Sequence, residues 1–310
     1  MTNVQFAGDD AAWEKYGPPI DDALARAGVA ADLSRDHDPA RVDYIVMGGG
    51  VGIEDFTPYS RARAVLRLWA GVEDIVGNDT LTIPLARMVG GGLDEGMRDW
   101  VVAHVMRHHV GMDAHLHGQD GVWRGDVTPK LARDRRVTIL GLGALGQVCG
   151  RALAGLDFAV AGWSRSRKQV EGIRCLAGED GLAAALADAE IVVLLLPSTP
   201  ETAGLLDARR LAMLPRGAVI VNPGRGTLID DDALDAALDS GQVAHATLDT
   251  FRQEPLRDDH RWWSDPRVTV TPHIASETRA PEAAAVIAEN IRRGEAGEPF
   301  LHLVDRDAGY

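Results

Sequence analysis

Three polar residues stand just beyond apolar, strand-like runs: Arg225 after AVIVNPG, Glu254 after ATLDTFRQ and His273 after VTVTP. In an open α/β sheet, ligands bind beyond the carboxyl ends of the strands, so the three point to one edge. Their chemistry suits reduction of a 2-oxo acid. A carbonyl that receives hydride develops negative charge on oxygen and needs a proton donor and a positive partner. His273 can donate the proton. Glu254, if paired with it, favours imidazolium and fixes the ring. Arg225 can hold the substrate carboxylate and polarise the carbonyl. Each residue also has a plainer reading: Arg225 as a loop cap, Glu254 as a solvated turn residue before Pro255, His273 as a satisfied buried histidine.

A second constellation is GLGALG, Gly141–Gly146, which follows RVTIL and opens a helical pattern. Gly141 permits a tight turn, Gly143 lets the backbone approach a pyrophosphate, and Gly146 lets helix and strand pack closely. With Ala144 and Leu145, the segment forms a helix N-terminus whose N–H groups face phosphate. An NAD enzyme usually carries Asp or Glu after the second strand. Here the place reads GWSRSRK: Ser164, Arg165, Ser166, Arg167 and Lys168. A hydroxyl and guanidinium groups suit a 2′-phosphate, so NADP(H) is expected in preference to NAD(H), with Arg165 as its chief contact. The alternative is a solvated basic turn.

The elements that position these residues can be read from residue 136 onward. Apolar runs at 137–140, 159–163, 191–196, 218–221, 246–248 and 268–271 alternate with the helical patterns ALGQVCGRALAGL, DGLAAALADA, TAGLLDARRLAML and DDALDAALDSG. This predicts an α/β fold with a doubly wound parallel-sheet (Rossmann) dinucleotide-binding domain over 99–278. The first hundred residues are less regular. VQFAG, VAADLS and VDYIVM read as strands and DDALARAG as a helix, with glycine-rich loops at 48–50 and 90–92. Helical patterns at 94–110 and 281–293 are expected to connect this part to the rest, giving a discontinuous α/β substrate domain over 1–98 and 279–310 and a cleft suited to a small molecule.

Composition sets the outer limits. The 310 residues carry 45% hydrophobic and 25% charged side chains and a net charge of −14, which argues against a nucleic-acid or anionic-membrane partner. No signal peptide or membrane span is apparent, and a cytoplasmic location is expected. Cys149 and Cys175 lack a CxxC arrangement, so neither a disulfide framework nor a metal is expected.

Taken together, NPGRGTLID, TLDTFRQEPL, TPHIAS, GLGALG and LLLPSTPET resemble the signatures of the D-isomer-specific 2-hydroxyacid dehydrogenase family. The resemblance implies an Arg–Glu–His catalytic set at Arg225, Glu254 and His273. LWAGVED, RHHVGMDAH, GWSRSRK and VDRDAGY resemble the glyoxylate/hydroxypyruvate reductase A subgroup, which prefers NADPH. It further implies a flavodoxin-like substrate domain and a substrate carboxylate at the backbone N–H groups of Ala70, Gly71 and Val72. Pro197, Ser198 and Thr202 would lie along the adenosine side, and Asp249 would bind the nicotinamide carboxamide. The 94–110 helix with HLHGQDGVW resembles the family's dimerisation arm, so a homodimer is expected. Trp69 and Trp100 are candidates for the cleft wall or for the core. His245 departs from the family, where many members have glycine, and MGGGVGIEDF is unusually glycine-rich. Two other readings stay open: a dehydrogenase for a bulkier 2-oxo acid, and a non-catalytic NADP(H)-sensing protein.

Overall fold

A computed structural model describes residues 1–48, 52–90, 92–123, 125 and 128–309. Of the two glycine-rich loops, Gly49, Gly50 and Gly91 fall outside these residues. The chain divides into two compact units, Met1–Leu93 with Glu277–Tyr310, and Asp94–Ser276.

The first unit is built on five parallel strands: β1 (Thr2–Ala7), β2 (Ala31–Ser34), β3 (Tyr44–Met47), β4 (Ala64–Arg67) and β5 (Leu85–Ala86). Their order, β2-β1-β3-β4-β5, is that of flavodoxin-like sheets. Helix α1 (Asp10–Arg26) begins earlier than the sequence suggests and runs through Pro18 and Pro19. Asp9 caps it by accepting the Ala12 N–H at 2.8 Å, and Tyr16, Ile20 and Leu24 bury its inner face. The strands β4 and β5 are not evident in the sequence. RARAVLR reads as polar because Arg63 and Arg67 flank it, yet Arg67 is buried and Asp74 accepts from its Nη1 at 2.9 Å. The C-terminal tail returns to this unit, where Leu303 bridges Ala86 and the Val304 N–H donates to Leu85 O.

The second unit opens with α2 (Leu93–His109) and α3 (Met112–Leu116). Seven parallel strands follow: β6 (Arg136–Leu140), β7 (Ala159–Ser164), β8 (Arg174–Ala177), β9 (Ile191–Leu194), β10 (Ala218–Asn222), β11 (Val243–Leu248) and β12 (Val268–Val270). The order β12-β11-β10-β9-β6-β7-β8 is doubly wound, with the direction of winding reversing between β6 and β9. Three helices, α4 (Ala144–Gly155), α5 (Gly178–Ala187) and α6 (Ala208–Leu211), and then α7 (Asp231–Asp239) join the strands. Met97, Val101 and Val105 of α2 pack with Cys149 and Leu153 of α4 over one face of the sheet. Leu182, Leu211, Leu234 and Leu238 cover the other. The seventh strand, β8, is an edge strand of sequence RCLA with no apolar run to announce it.

One helix is much shorter than its sequence pattern. Of TAGLLDARRLAML only Ala208–Leu211 is α-helical. Residues 201–204 form turns, the Leu206 N–H then donates to Leu228 O, and Asp207 accepts the Arg210 N–H at 2.7 Å, so the helix starts only after Asp207. Helix α8 (Ala280–Ala296) completes the first unit, where Ala284, Ile287 and Ile291 share a core with α1.

Candidate active site

The carboxyl ends of the second unit's strands and the segments that follow them carry its candidate catalytic and cofactor-binding residues. Gly141 follows β6 directly and has φ +110°, and a Cβ there would meet Leu195 O at 2.5 Å. A Cβ at Gly146 would meet Gly141 O at 1.8 Å, so only glycine allows α4 to start against the turn. Gly143, by contrast, opens on free space and makes no side-chain capping bond. The first turn of α4, Ala144 and Leu145 included, thus presents N–H groups beyond the sheet edge, a placement that suits an anionic group.

Ser164 ends β7 and is buried, its Oγ donating to Ser166 O at 2.8 Å. Arg165, Ser166 and Arg167 are exposed in the turn that follows. Arg165 lies close enough to Glu201 to help hold its carboxyl below the usual range, though Glu201's own backbone N–H and the Thr199 hydroxyl do more. After β9, Thr202 Oγ1 donates to Pro197 O at 2.7 Å and accepts the Thr199 N–H at 2.8 Å. Ser198 Oγ pairs with Thr227 Oγ1 at 2.7 Å. These three residues therefore shape the loop itself, with Thr202 closing it.

Arg225, Glu254 and His273 follow β10, β11 and β12, which are neighbours in the sheet. His273 Nδ1 lies 2.8 Å from Glu254 Oε2. Glu254 Oε1 accepts the Phe251 N–H at 2.9 Å, which fixes the carboxylate from its other side. His273 has φ +56°, a left-handed conformation uncommon for a residue with a side chain. Its ring is half exposed and open to a ligand. Arg225 is half-buried, and its Nη1 donates to Gly224 O at 2.8 Å.

The turn under Arg225 is held by a residue the sequence reading missed. Asn222 is buried, donates to Arg225 O at 2.9 Å and accepts the Gly224 N–H at 3.1 Å. A polar residue ending the apolar run AVIVN was the available signal. Asp249 is fully buried, and its carboxylate accepts from Thr271 Oγ1 (2.6 Å), Ile274 N–H (2.9 Å) and Ala275 N–H (2.8 Å). It organises the loop that carries His273, a task its place after a strand did not reveal.

In the first unit, Ala70 and Gly71 are half-exposed after β4 and Val72 is buried. The Ile75 and Val76 N–H groups donate to Val72 O and close the turn. Trp69 packs edge-on against Tyr16, with ring centroids 5.6 Å apart, and Trp100 lies 4.2 Å from the His104 ring; both also pack against buried cores.

Residues 100–275 match the model of the D-isomer specific 2-hydroxyacid dehydrogenase NAD-binding domain. The chain is 38% identical to a glyoxylate/hydroxypyruvate reductase A of Yersinia enterocolitica over 80% of its length and 82% of the relative's. A D-isomer specific 2-hydroxyacid dehydrogenase of Xanthobacter autotrophicus, solved with NADPH and MES, superposes with a TM-score of 0.92 at 39% identity, covering 100% of this chain and 99% of the other. An NADPH-dependent glyoxylate/hydroxypyruvate reductase of Sinorhizobium meliloti, solved with NADP and sulfate, gives 0.88 at 32% identity, with both chains covered in full. The chain belongs to the D-isomer specific 2-hydroxyacid dehydrogenase family, and it is an oxidoreductase with a nicotinamide-binding domain. Within the family it is similar to the A-type glyoxylate/hydroxypyruvate reductases. Among the described residues, no helix is long and apolar enough to cross a membrane.

Proposed function

We propose that this enzyme reduces a small 2-oxo acid of the glyoxylate or hydroxypyruvate kind to the 2-hydroxy acid, with NADPH preferred over NADH. The 2.8 Å contact between His273 Nδ1 and Glu254 Oε2, on the sheet edge shared with the glycine turn and Arg225, carries this reading. Relatives and neighbours whose names specify glyoxylate/hydroxypyruvate reduction or bound NADP(H) support it.

The nicotinamide, when bound, supplies the hydride. Gly141–Gly146 hold its pyrophosphate at the start of α4, and Ser164, Arg165, Ser166 and Arg167 receive the 2′-phosphate. Pro197, Ser198 and Thr202 shape the adenosine-side wall. Glu254 occupies His273 Nδ1, so the proton that moves to the carbonyl oxygen sits on Nε2. Glu254 also fixes the orientation of the ring. Arg225 holds the carboxylate and polarises the carbonyl as negative charge develops. Ala70, Gly71 and Val72 offer backbone N–H groups to the carboxylate.

Steady-state kinetics over a panel of 2-oxo acids, with NADPH and NADH in parallel, test the proposal. Glyoxylate and hydroxypyruvate are expected to give the highest kcat/KM. A maximum with phenyl or branched-chain 2-oxo acids would replace the substrate class, and absence of turnover with every acid would replace the activity with cofactor binding alone.

A further inference from the structure

His245 lies in the half of β11 away from Asp249 and Glu254. Its ring meets that of His108, near the end of α2, with centroids 4.8 Å apart. Asp113 of α3 completes the group, and one donor atom from each of the three lies within 4.8 Å of the others. The details of the contacts are specific. Both Nδ1 atoms face Asp113 Oδ2, each at 4.0 Å. Both Nε2 atoms are engaged elsewhere, His108 with Thr247 Oγ1 and His245 with Thr269 Oγ1, each at 2.8 Å. The other Asp113 oxygen, Oδ1, accepts from Arg107 Nε at 2.6 Å.

A separation of 4.0 Å is too long for a hydrogen bond. It is close to what a shared ion spans, since bonds of about 2.1 Å at a tetrahedral centre set neighbouring donors about 3.4 Å apart. The partners beyond the three donors also follow the pattern of metal sites. Ligating imidazoles characteristically use their second nitrogen to donate, and ligating carboxylates are themselves hydrogen-bonded. Here two threonine hydroxyls and one guanidinium take those places. Burial, together with Arg107 and the facing histidine, pushes His108 down to about 3, against the opposing pull of Asp113. Burial pushes His245 down to about 4, again against Asp113. Both rings are therefore neutral near pH 7, the form that binds metal.

We propose that His108, His245 and Asp113 form a binding site for a first-row transition-metal dication of the Zn²⁺ class, separate from the catalytic edge. Two nitrogens and one carboxylate oxygen select Zn²⁺, Co²⁺, Ni²⁺ or Cu²⁺ over Mg²⁺ and Ca²⁺, which prefer all-oxygen shells. The bound ion links α2, α3 and β11, and water completes its shell. The absence of a cysteine motif does not bear on such a site, because none of its ligands is cysteine.

Calorimetric titration of the metal-stripped full chain with ZnCl₂ tests this, with Co²⁺ as an optical probe through its d–d absorption. One ion per chain is expected, with a tetrahedral or five-coordinate Co²⁺ spectrum and a metal-dependent rise in Tm. His245→Gln and Asp113→Asn are each expected to weaken binding at least about tenfold and to abolish the Tm rise. Asp113→Asn lies on a short surface helix and keeps the test open if His245→Gln does not fold. His115→Ala with His117→Ala removes two neighbouring histidines and should leave binding unchanged. No stoichiometric binding, parent-like binding by Asp113→Asn and by folded His245→Gln, or loss on replacing only His115 and His117, would each overturn the proposal.

Discussion

Asp249 holds the backbone at His273 and just beyond it. Its main-chain oxygen accepts the His273 N–H at 2.8 Å, while its carboxylate accepts the next two N–H groups. The positive φ of His273 is thus fixed by a buried acceptor. Asp249→Asn leaves one oxygen and turns an NH₂ toward donors. Bonds to a buried charge are each worth about 1.5–3 kcal/mol, so urea unfolding should show a loss of roughly that size, with kcat lowered and the KM for NADPH little changed. If Asp249 serves chiefly the nicotinamide carboxamide, the KM for NADPH will rise while stability stays at the parent value.

The proton route through His273 predicts opposite pH limbs. Reduction requires imidazolium and should fall as pH rises, whereas oxidation of the hydroxy acid requires neutral imidazole and should fall as pH drops. His273→Ala should lower kcat by about 10²–10⁴-fold while NADPH still binds, as read by fluorescence titration. Arg225→Ala should raise KM as well as lower kcat, since it removes ground-state and transition-state contacts together. Parent-like turnover in His273→Ala would assign the proton to another group.

Much of this site was legible because its signals are local. GLGALG between a strand and a helix, and polar residues following IVVL-like runs, depend on neighbours in sequence. What stayed hidden depends on partners far along the chain. Strand β4 could not be read because Arg67 is buried, its charge met by an exposed Asp74, and the short α6 because Leu206 pairs with Leu228 across the fold. Asp249 read as a ligand residue, and its three donors come from a segment more than twenty residues later. His245 stood out as a departure, but its meeting with His108 belongs to tertiary structure alone.

Cofactor choice rests on the turn after β7. NADPH should exceed NADH in kcat/KM by at least about tenfold, or ~1.4 kcal/mol. Ser164→Asp with Arg165→Gln should erode or invert that ratio, because the new carboxylate repels a 2′-phosphate and suits a ribose hydroxyl. Equal use of both cofactors by the parent would remove the basis for the preference.

Oligomeric state is the next expectation. Met112, Leu116, Val122 and Trp123 are exposed along the segment after α2, with Trp123 95% exposed. Arg124, Asp126 and Val127 of the same segment lie outside the described residues. A large apolar side chain so placed suits burial against a second copy. Light scattering should give a mass near twice 33.2 kDa, and Trp123→Ser should shift the equilibrium toward monomer. A parent monomer at micromolar concentration would show that this segment pairs with nothing.

The His108–His245 pair makes stability fall in mild acid. Both groups lie below the ordinary histidine value of 6.5, at about 3 and about 4, chiefly through burial, with Arg107 lowering both and Asp113 opposing. Below pH 6.5 the unfolded chain takes up protons that the folded chain refuses. The stabilisation is therefore complete above pH 6.5 and is lost as pH falls toward about 4 for His245 and about 3 for His108. Each such proton is worth about 1.4 kcal/mol per pH unit, so acidification from pH 7 to 5 should cost roughly 2 kcal/mol per histidine. Urea unfolding in EDTA at pH 7, 6 and 5 measures this directly. The double variant His108→Gln with His245→Gln lacks both groups, so its stability should decline less steeply than the parent's over the same range. Equal slopes for parent and variant would mean that these two rings take up protons as readily folded as unfolded.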